Sequence, residues 1–220
     1  MKYRVIILFS ICCAWFSLKA QITSVEAAGN YLYSGQWDRA IQTLNFNRFN
    51  FGTQPLLRFG FTVGTSYRFN KTSSPYGLSG RYGLVWSVND FPGRTTVLQL
   101  HQLAIHYTYT WKPSDQQPLF ICLSGGALST LLLRKIESQY YVYDERVARA
   151  VGIGPELALR TYYTLRENSK FTWSPFLSCT YSPFLWSPQT EALINQTGGF
   201  TSNAFTMLTQ VQLGVIFNIN

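Results

Sequence analysis

The residues best equipped for chemistry are His106 and Thr108, two positions apart in the run H-Q-L-A-I-H-Y-T-Y-T-W. In an extended strand such residues share a face, so an imidazole would stand beside a hydroxyl, the pairing that activates an oxygen nucleophile. A carboxylate would have to orient that imidazole, and Glu156 is the nearest candidate by depth. A single interior histidine is more often hydrogen-bonded filler, and the enzyme reading is the less favoured one. A second set is ionic. Glu26, Arg58, Arg68, Arg81, Arg134, Glu156 and Arg160 all fall at positions of opposite parity to the apolar residues of their segments. Five cations and two carboxylates along one lumen make either an anion path or a salt-bridged plug, and a bore narrow enough to be filled by side chains favours the plug. Glu137, Asp144 and Glu145 lack the fixed spacing of a cation site. No phosphate loop or zinc spacing occurs, so neither a metal nor a cofactor is expected.

Positioning these groups falls to segments of period two. Leu57 to Phe69, L-R-F-G-F-T-V-G-T-S-Y-R-F, sets Leu57, Phe59, Phe61, Val63, Tyr67 and Phe69 on one face and Arg58, Gly60, Gly64 and Arg68 on the other. The code recurs over 22–34, 76–88, 95–111, 119–133, 147–163, 171–185 and 205–219, which makes eight strands. In 95–111 the second half places Leu103, Ile105, Tyr107, Tyr109 and Trp111 on the apolar face, whereas the first half fits better with Leu98 and Leu100 there. A β-bulge near Gln102 is therefore expected, which would keep His101 away from an apolar medium. Trp37, Ala40, Ile41 and Leu44 follow helical spacing, so a short helix is expected in the first long loop. A strand over 41–51 in place of 22–34 is the alternative.

The chain opens M-K-Y-R, continues apolar from Val5 to Ser17 and reaches L-K-A, the pattern of a secretory signal peptide over residues 1–20. Residues 21–220 then form one domain with 15 basic against 10 acidic residues, a balance of +5. The arginines are scattered without a run, which argues against a nucleic-acid partner. Charged residues are 13% of the chain and aromatics 16%, a surface suited to lipid. An aromatic face turned outward and a polar face turned inward is the membrane-barrel arrangement. The soluble, lipocalin-like alternative would crowd the aromatic face into one small core and set Arg58, Arg68, Arg81, Glu156 and Arg160 outside.

Connector lengths agree with a barrel. Those at 70–75, 112–117 and 165–170 are short, while 35–54, 135–146 and 187–203 are long, with 90–94 a short member of the latter set. Short periplasmic turns, longer outer loops and periplasmic termini are the arrangement this implies. Phe69, Tyr76, Trp111, Tyr163, Phe171, Trp173 and Phe217 gather at the inferred periplasmic ends as a lipid-interface belt, and Tyr31, Tyr33, Trp86 and Phe205 make a second one. Cys122 and Cys179 face opposite sides, so no disulfide is expected.

In this architecture the chain resembles the small eight-stranded outer-membrane barrels, such as the OmpA transmembrane domain and OmpX. That resemblance covers residues 21–220 and carries no diagnostic peptide. Those proteins commonly end on an aromatic residue, whereas this chain ends F-N-I-N. In that respect it resembles the outer-membrane β-barrel proteins of Bacteroidota. The His106 and Thr108 pair resembles the His-x-Ser of the outer-membrane lipid A deacylases, with Thr in place of the nucleophilic Ser. The expectation is an all-β, antiparallel, up-and-down transmembrane barrel in the outer membrane, meeting lipid and lipopolysaccharide. Its Tyr-rich surface loops suit a structural, adhesive or envelope-assembly role with an envelope or host protein. The alternatives are a lipid A-modifying hydrolase and a narrow anion-selective pore.

Overall fold

The computed structural model describes residues 24–47, 54–69, 74–138, 146–165, 171–186 and 205–219. The proposed signal peptide, Asp144, Glu145 and the loop from 187 to 204 lie outside them. Eight antiparallel strands close a barrel in chain order: β1 (Ser24–Tyr33), β2 (Phe59–Arg68), β3 (Tyr76–Phe91), β4 (Arg94–Trp111), β5 (Leu119–Ser138), β6 (Arg146–Tyr163), β7 (Phe171–Trp186) and β8 (Phe205–Ile219). β1 pairs with β8 over its whole length and shuts the barrel, so no sheet edge is left along that part of the wall.

The pairing fixes the shape. From Tyr33 the outward residues run through Thr209, Tyr181, Leu157, Gly125, Tyr107 and Leu78 to Tyr67, one step past the partner of Ser24. One circuit is thus displaced by ten residues along β1, which tilts eight strands by roughly 40° and leaves a bore only wide enough for side chains. Outward positions are apolar and exposed, among them Phe59, Ile105, Val151, Leu157 and Leu213, while Glu26, Arg81, Gln102, Glu156 and Gln212 are buried inside. Cys122 is buried and Cys179 exposed, and both are free thiols. Among the described residues no helix is long and apolar enough to cross a membrane.

The first connector contains the helix α1 (Gly35–Asn47), which settles the first strand as Ser24–Tyr33 and removes the alternative over 41–51. Ser34 caps it, its Oγ accepting from the Trp37 amide at 3.5 Å, and Asp38 sits in the first turn where the helix dipole favours an acid. β3 and β4 are joined by Pro92 and Gly93 alone, and Gly93 takes φ 78°, the positive value that a type II turn requires at the residue after its proline.

The expected bulge near Gln102 is absent. β4 pairs without interruption to β3 and to β5, so Leu98 and Leu100 point inward, fully buried, and His101 stands on the outward face. The irregularities lie elsewhere, between Ile153 and Leu157 in the β6–β7 ladder and between Ser182 and Leu185 in the β7–β8 ladder. Pro155 and Pro183 occupy those stretches and have no N–H to give to a ladder. Ser182 Oγ donates to the Pro155 carbonyl at 2.7 Å and takes up part of the loss.

Strand length is uneven. β1 and β2 stop at Tyr33 and Phe59, whereas β3 to β6 continue beyond that level. With roughly 3.3 Å per residue and a 40° tilt, the four-stranded wall projects by about 15 Å past the ends of β1 and β2. The barrel thus has a near end, where Ser24 and Ile219 lie, and a far end, which carries this wall.

The close strand approach gives a direct test. A Cβ on Gly126 would lie 1.9 Å from the Ile105 carbonyl oxygen and 2.8 Å from the His106 Cα, whereas one on Gly80 would meet nothing within 4 Å. Gly126→Ala is expected to cost more than about 2 kcal/mol, because the obstruction is backbone, and Gly80→Ala less than about 0.5 kcal/mol. Refolding yield in detergent, read as the fraction of compact, unheated band on a gel, checks both. Equal yields for the two variants would contradict the register.

Candidate functional site

The lumen is built in three layers. At the near end Arg68 donates to the Tyr162 hydroxyl at 2.7 Å, and Tyr162 stacks on Phe120 with ring centroids 5.1 Å apart and planes 8° from parallel. The Lys112 ammonium lies 5.8 Å from the centroid of the Phe120 ring. Serine and asparagine side chains complete the mouth, with Ser24 against Ser66 and Asn218 donating to Ser174. This layer closes the bore from one side.

The middle layer is ionic. Arg81 pairs with Glu156, and Arg160 with Glu26, each across the bore from one strand to another. The His106 Nε2 lies 2.9 Å from the Glu156 Oε1, though without the alignment of a hydrogen bond. Arg81 also donates to Gln212 Oε1 at 3.1 Å, Gln212 to the Thr62 hydroxyl at 3.3 Å, and Thr62 to Asn30 Oδ1 at 3.0 Å. The Arg160 guanidinium sits 4.5 Å from the centroid of the Phe176 ring. Room for these long groups comes from inward glycines: a Cβ on Gly64 would stand 2.7 Å from Glu26 Oε1. Among the described residues a cavity of about 10 Å³ lies between Arg81, Gln102, Gln210 and Gln212, enough for one water at most.

The far layer is apolar. Leu32, Val85, Leu98, Leu100, Leu128, Leu132, Leu185 and Leu208 line it, and the helix closes it by burying Trp37 and Ile41. Arg58 lies here at the mouth, apart from the central pairs, and grips Asp38 of the helix with two hydrogen bonds of 2.9 and 2.7 Å. That hydrogen bonding raises the Arg58 pKa above its ordinary value, against the opposing effect of burial. Its guanidinium also lies over Tyr31 and Tyr33, 5.7 and 5.5 Å from their centroids. Arg134 is inward and buried in the same region.

Chemistry at His106 and Thr108 is poorly served. They share a face but no hydrogen bond joins them, and adjacent same-face positions in a strand stand about 7 Å apart. Glu156 does reach the imidazole, yet it is committed to Arg81, and His106 is sealed at 3% exposure. Glu137 belongs to β5, in a stretch where side chains are not described. No group of three metal-ligating side chains occurs among the described residues.

On the outer wall Phe69, Tyr76, Tyr163, Trp173 and Phe217 are exposed at the near end, with Trp111 half-buried among its neighbours and Phe171 placed there by its pairing with Ile219. Tyr76 contacts both Tyr107 and Tyr109, and Tyr109 stacks on Trp111. At the far end stands an outward polar pair that sequence reasoning misses: the Tyr82 hydroxyl and His101 Nδ1 are 2.7 Å apart. Uninterrupted parity through β4 would have exposed it.

No family model matches this chain, and no curated protein matches it. Among solved structures it is similar to Ail, the attachment invasion locus protein of Yersinia pestis, in complex with the heparin analogue sucrose octasulfate, at 10% identity and a TM-score of 0.45, over 90% of this chain and 99% of that one. It is likewise similar to Neisserial surface protein A, at 12% identity and 0.44, over 89% and 95%. A major outer membrane protein from Thermus thermophilus matches at 11% and 0.44, over 88% and 98%.

Two substitutions test the layers. Glu156→Ala strands Arg81 in a buried site and is expected to cost about 3–5 kcal/mol, whereas Arg81→Met with Glu156→Leu should cost far less, because no lone charge is left. The Trp37 indole N–H is buried without a partner. Trp37→Phe, which keeps an aromatic ring and removes that donor, is expected to be neutral or to stabilise by up to about 1 kcal/mol. Urea titration of the folded fraction measures each. A Glu156→Ala barrel as stable as the parent would show that the ion pair is not what fills the middle layer.

Proposed function

We propose that this chain is exported by residues 1–20, that residues 21–220 insert into the outer membrane with both termini periplasmic, and that the projecting far wall is its working surface. The observation that carries this reading is a change of code along β4. From Leu103 to Tyr109 the outward residues are apolar and the inward ones are Gln102, Ala104, His106 and Thr108. Beyond His101 the outward side carries Gln99, Val97 and Thr95 and the inward side Leu98 and Leu100, while the register stays continuous. A strand that leaves lipid for water has to reverse its faces in this way, because its outer side then meets water and its inner side needs a core. Rows of exposed aromatics at the near end and again at Tyr31, Tyr33, Phe59 and Trp86 stand about 25 Å apart, the height of an outer-membrane apolar band.

The role that suits a filled barrel with such a wall is adhesion or service as a partner in the envelope. Among the described residues, β6 from Arg146 to Gly152 has no β7 partner, and β3 beyond Trp86 pairs only with β4. The filled bore weighs against the anion-selective pore. The missing contact between His106 and Thr108 weighs against the lipid A-modifying hydrolase.

Two measurements test the proposal. The protein should fractionate with the outer membrane and migrate faster unheated than boiled. Replacing residues 139–145 by a short Gly-Ser turn should leave that shift intact while lowering attachment of expressing cells to a host-cell or matrix surface several-fold. A soluble periplasmic protein without a heat shift would refute the placement, and unchanged attachment would refute the adhesive role.

A further inference from the structure

Resting on the reading that the near end faces the periplasm, we propose that the near mouth of the bore is a carboxylate site built on Arg68, Tyr162 and Thr108, and that it takes the peptide of the cell wall. Elsewhere along the bore a guanidinium meets an acid: Arg58 meets Asp38, Arg81 meets Glu156 and Arg160 meets Glu26. Arg68 is different. It donates to the neutral Tyr162 hydroxyl at 2.7 Å, and among the described residues no carboxylate reaches it. On the adjacent strand β1 the first acid is Glu26, two inward rows deeper and committed to Arg160. A half-buried guanidinium without a counter-charge carries a free-energy cost that a bound anion offsets.

The donors at this mouth converge. Arg68 uses one terminal nitrogen on Tyr162, which leaves the N–H groups of the other, and among the described residues nothing accepts the Tyr162 hydroxyl proton. An arginine N–H and a phenol O–H thus stand side by side, an arrangement that a single carboxylate answers with its two oxygens. Thr108 supplies a third donor. Its partner on β3 is Gly77, which also pairs with Arg68 of β2. A Cβ on Gly77 would lie 3.0 Å from the Thr108 Oγ1, so the hydroxyl leans over the bare glycine toward Arg68.

The inward face of β4 records how far the mouth is open. Thr110 and Thr108 are half-exposed, whereas His106, the next inward residue, is sealed. Phe120 stacked on Tyr162 makes an aromatic wall beside the donors. Lys112, engaged with the Phe120 ring and with the Asp115 carbonyl, adds positive potential there without serving as a ligand. These side chains point into the bore, out of reach of the lipid headgroups that surround the outer wall. A folded protein is too broad to enter a bore of eight strands. A slender peptide that ends in carboxylates can enter, and in the periplasm the cell wall carries such peptides. The site would tether the barrel to the wall, which is one form of the envelope role proposed above.

The test uses the full mature chain in nonionic detergent micelles, titrated with a soluble disaccharide-peptide released from cell wall and with the same compound after its carboxylates are amidated. The parent should bind the free acid at least about 10-fold more tightly than the amide. Arg68→Gln should bring the affinity for the free acid down to that for the amide. Tyr162→Phe, which keeps the stack on Phe120, and Thr108→Val, which keeps the shape, should each lower it about 3- to 10-fold. Arg149→Gln, exposed on the far wall, should change nothing. Equal affinity of the parent for acid and amide overturns the proposal, as does unchanged affinity in Arg68→Gln with its heat shift retained. Tighter binding of acetate, or of an acidic peptide of ordinary protein sequence, overturns the cell wall as the occupant. Loss of the heat shift in the parent itself strikes the membrane placement instead, and the titration still decides the site.

Discussion

Everything in this molecule answers to the width of the bore. Eight strands displaced by ten residues per circuit enclose a narrow bore that side chains nearly fill, so most of what points inward is shut away from bulk water. An isolated charge in such a place would be costly, and the central charges therefore meet as pairs, Arg81 with Glu156 and Arg160 with Glu26. Each pair ties strands that are distant in the chain. The barrel is thus laced across its interior as well as round its wall.

The same narrowness explains the glycines and the aromatic floor. Long polar side chains fit only where the neighbouring wall is bare, and Gly64 and Gly83 provide that space beside Glu26 and Gln102. Toward the near end the bore is stopped by a flat stack of Phe120 on Tyr162, with Arg68 and Lys112 set on either side. Toward the far end it is stopped by a helix whose Trp37 and Ile41 complete a dry apolar cluster. Among the described residues the lumen is thus lined in two unlike ways, one aromatic and polar, the other resembling a soluble core.

Much of this was legible in the sequence, for a physical reason. Alternation is enforced wherever one face meets lipid and the other meets a polar interior, so the eight strands, the facing of Glu26, Arg81, Glu156 and Arg160, and the short helix could be read from period and parity. Pairings across the bore could not. Which carboxylate meets which arginine depends on tilt and displacement, and these emerge only when the sheet closes on itself. Arg58 illustrates the limit: its parity is inward, but its partner is Asp38 on a helix that folds over the mouth.

The absent bulge is the more instructive case. Along β4 the apolar residues move from odd to even positions near Gln102, and in a strand of uniform surroundings such a shift signals an inserted residue. Here the backbone is unbroken and the surroundings change instead. Below His101 the outer face needs apolar groups and the inner face tolerates amides and imidazole. Above it the outer face mixes Gln99, Lys135 and Arg149 with Val88, Val97 and Leu133 on neighbouring strands, and the inner face carries Leu98, Leu100 and Leu132 in the cluster that the helix joins. A phase shift in hydrophobic period therefore has two physical origins, a defect in the ladder or a boundary in the medium. Their consequences differ: a bulge leaves the polar residue that caused it hidden, whereas a boundary leaves it on the surface at the depth where the medium changes. His101, outward and bound to Tyr82, belongs to the second kind.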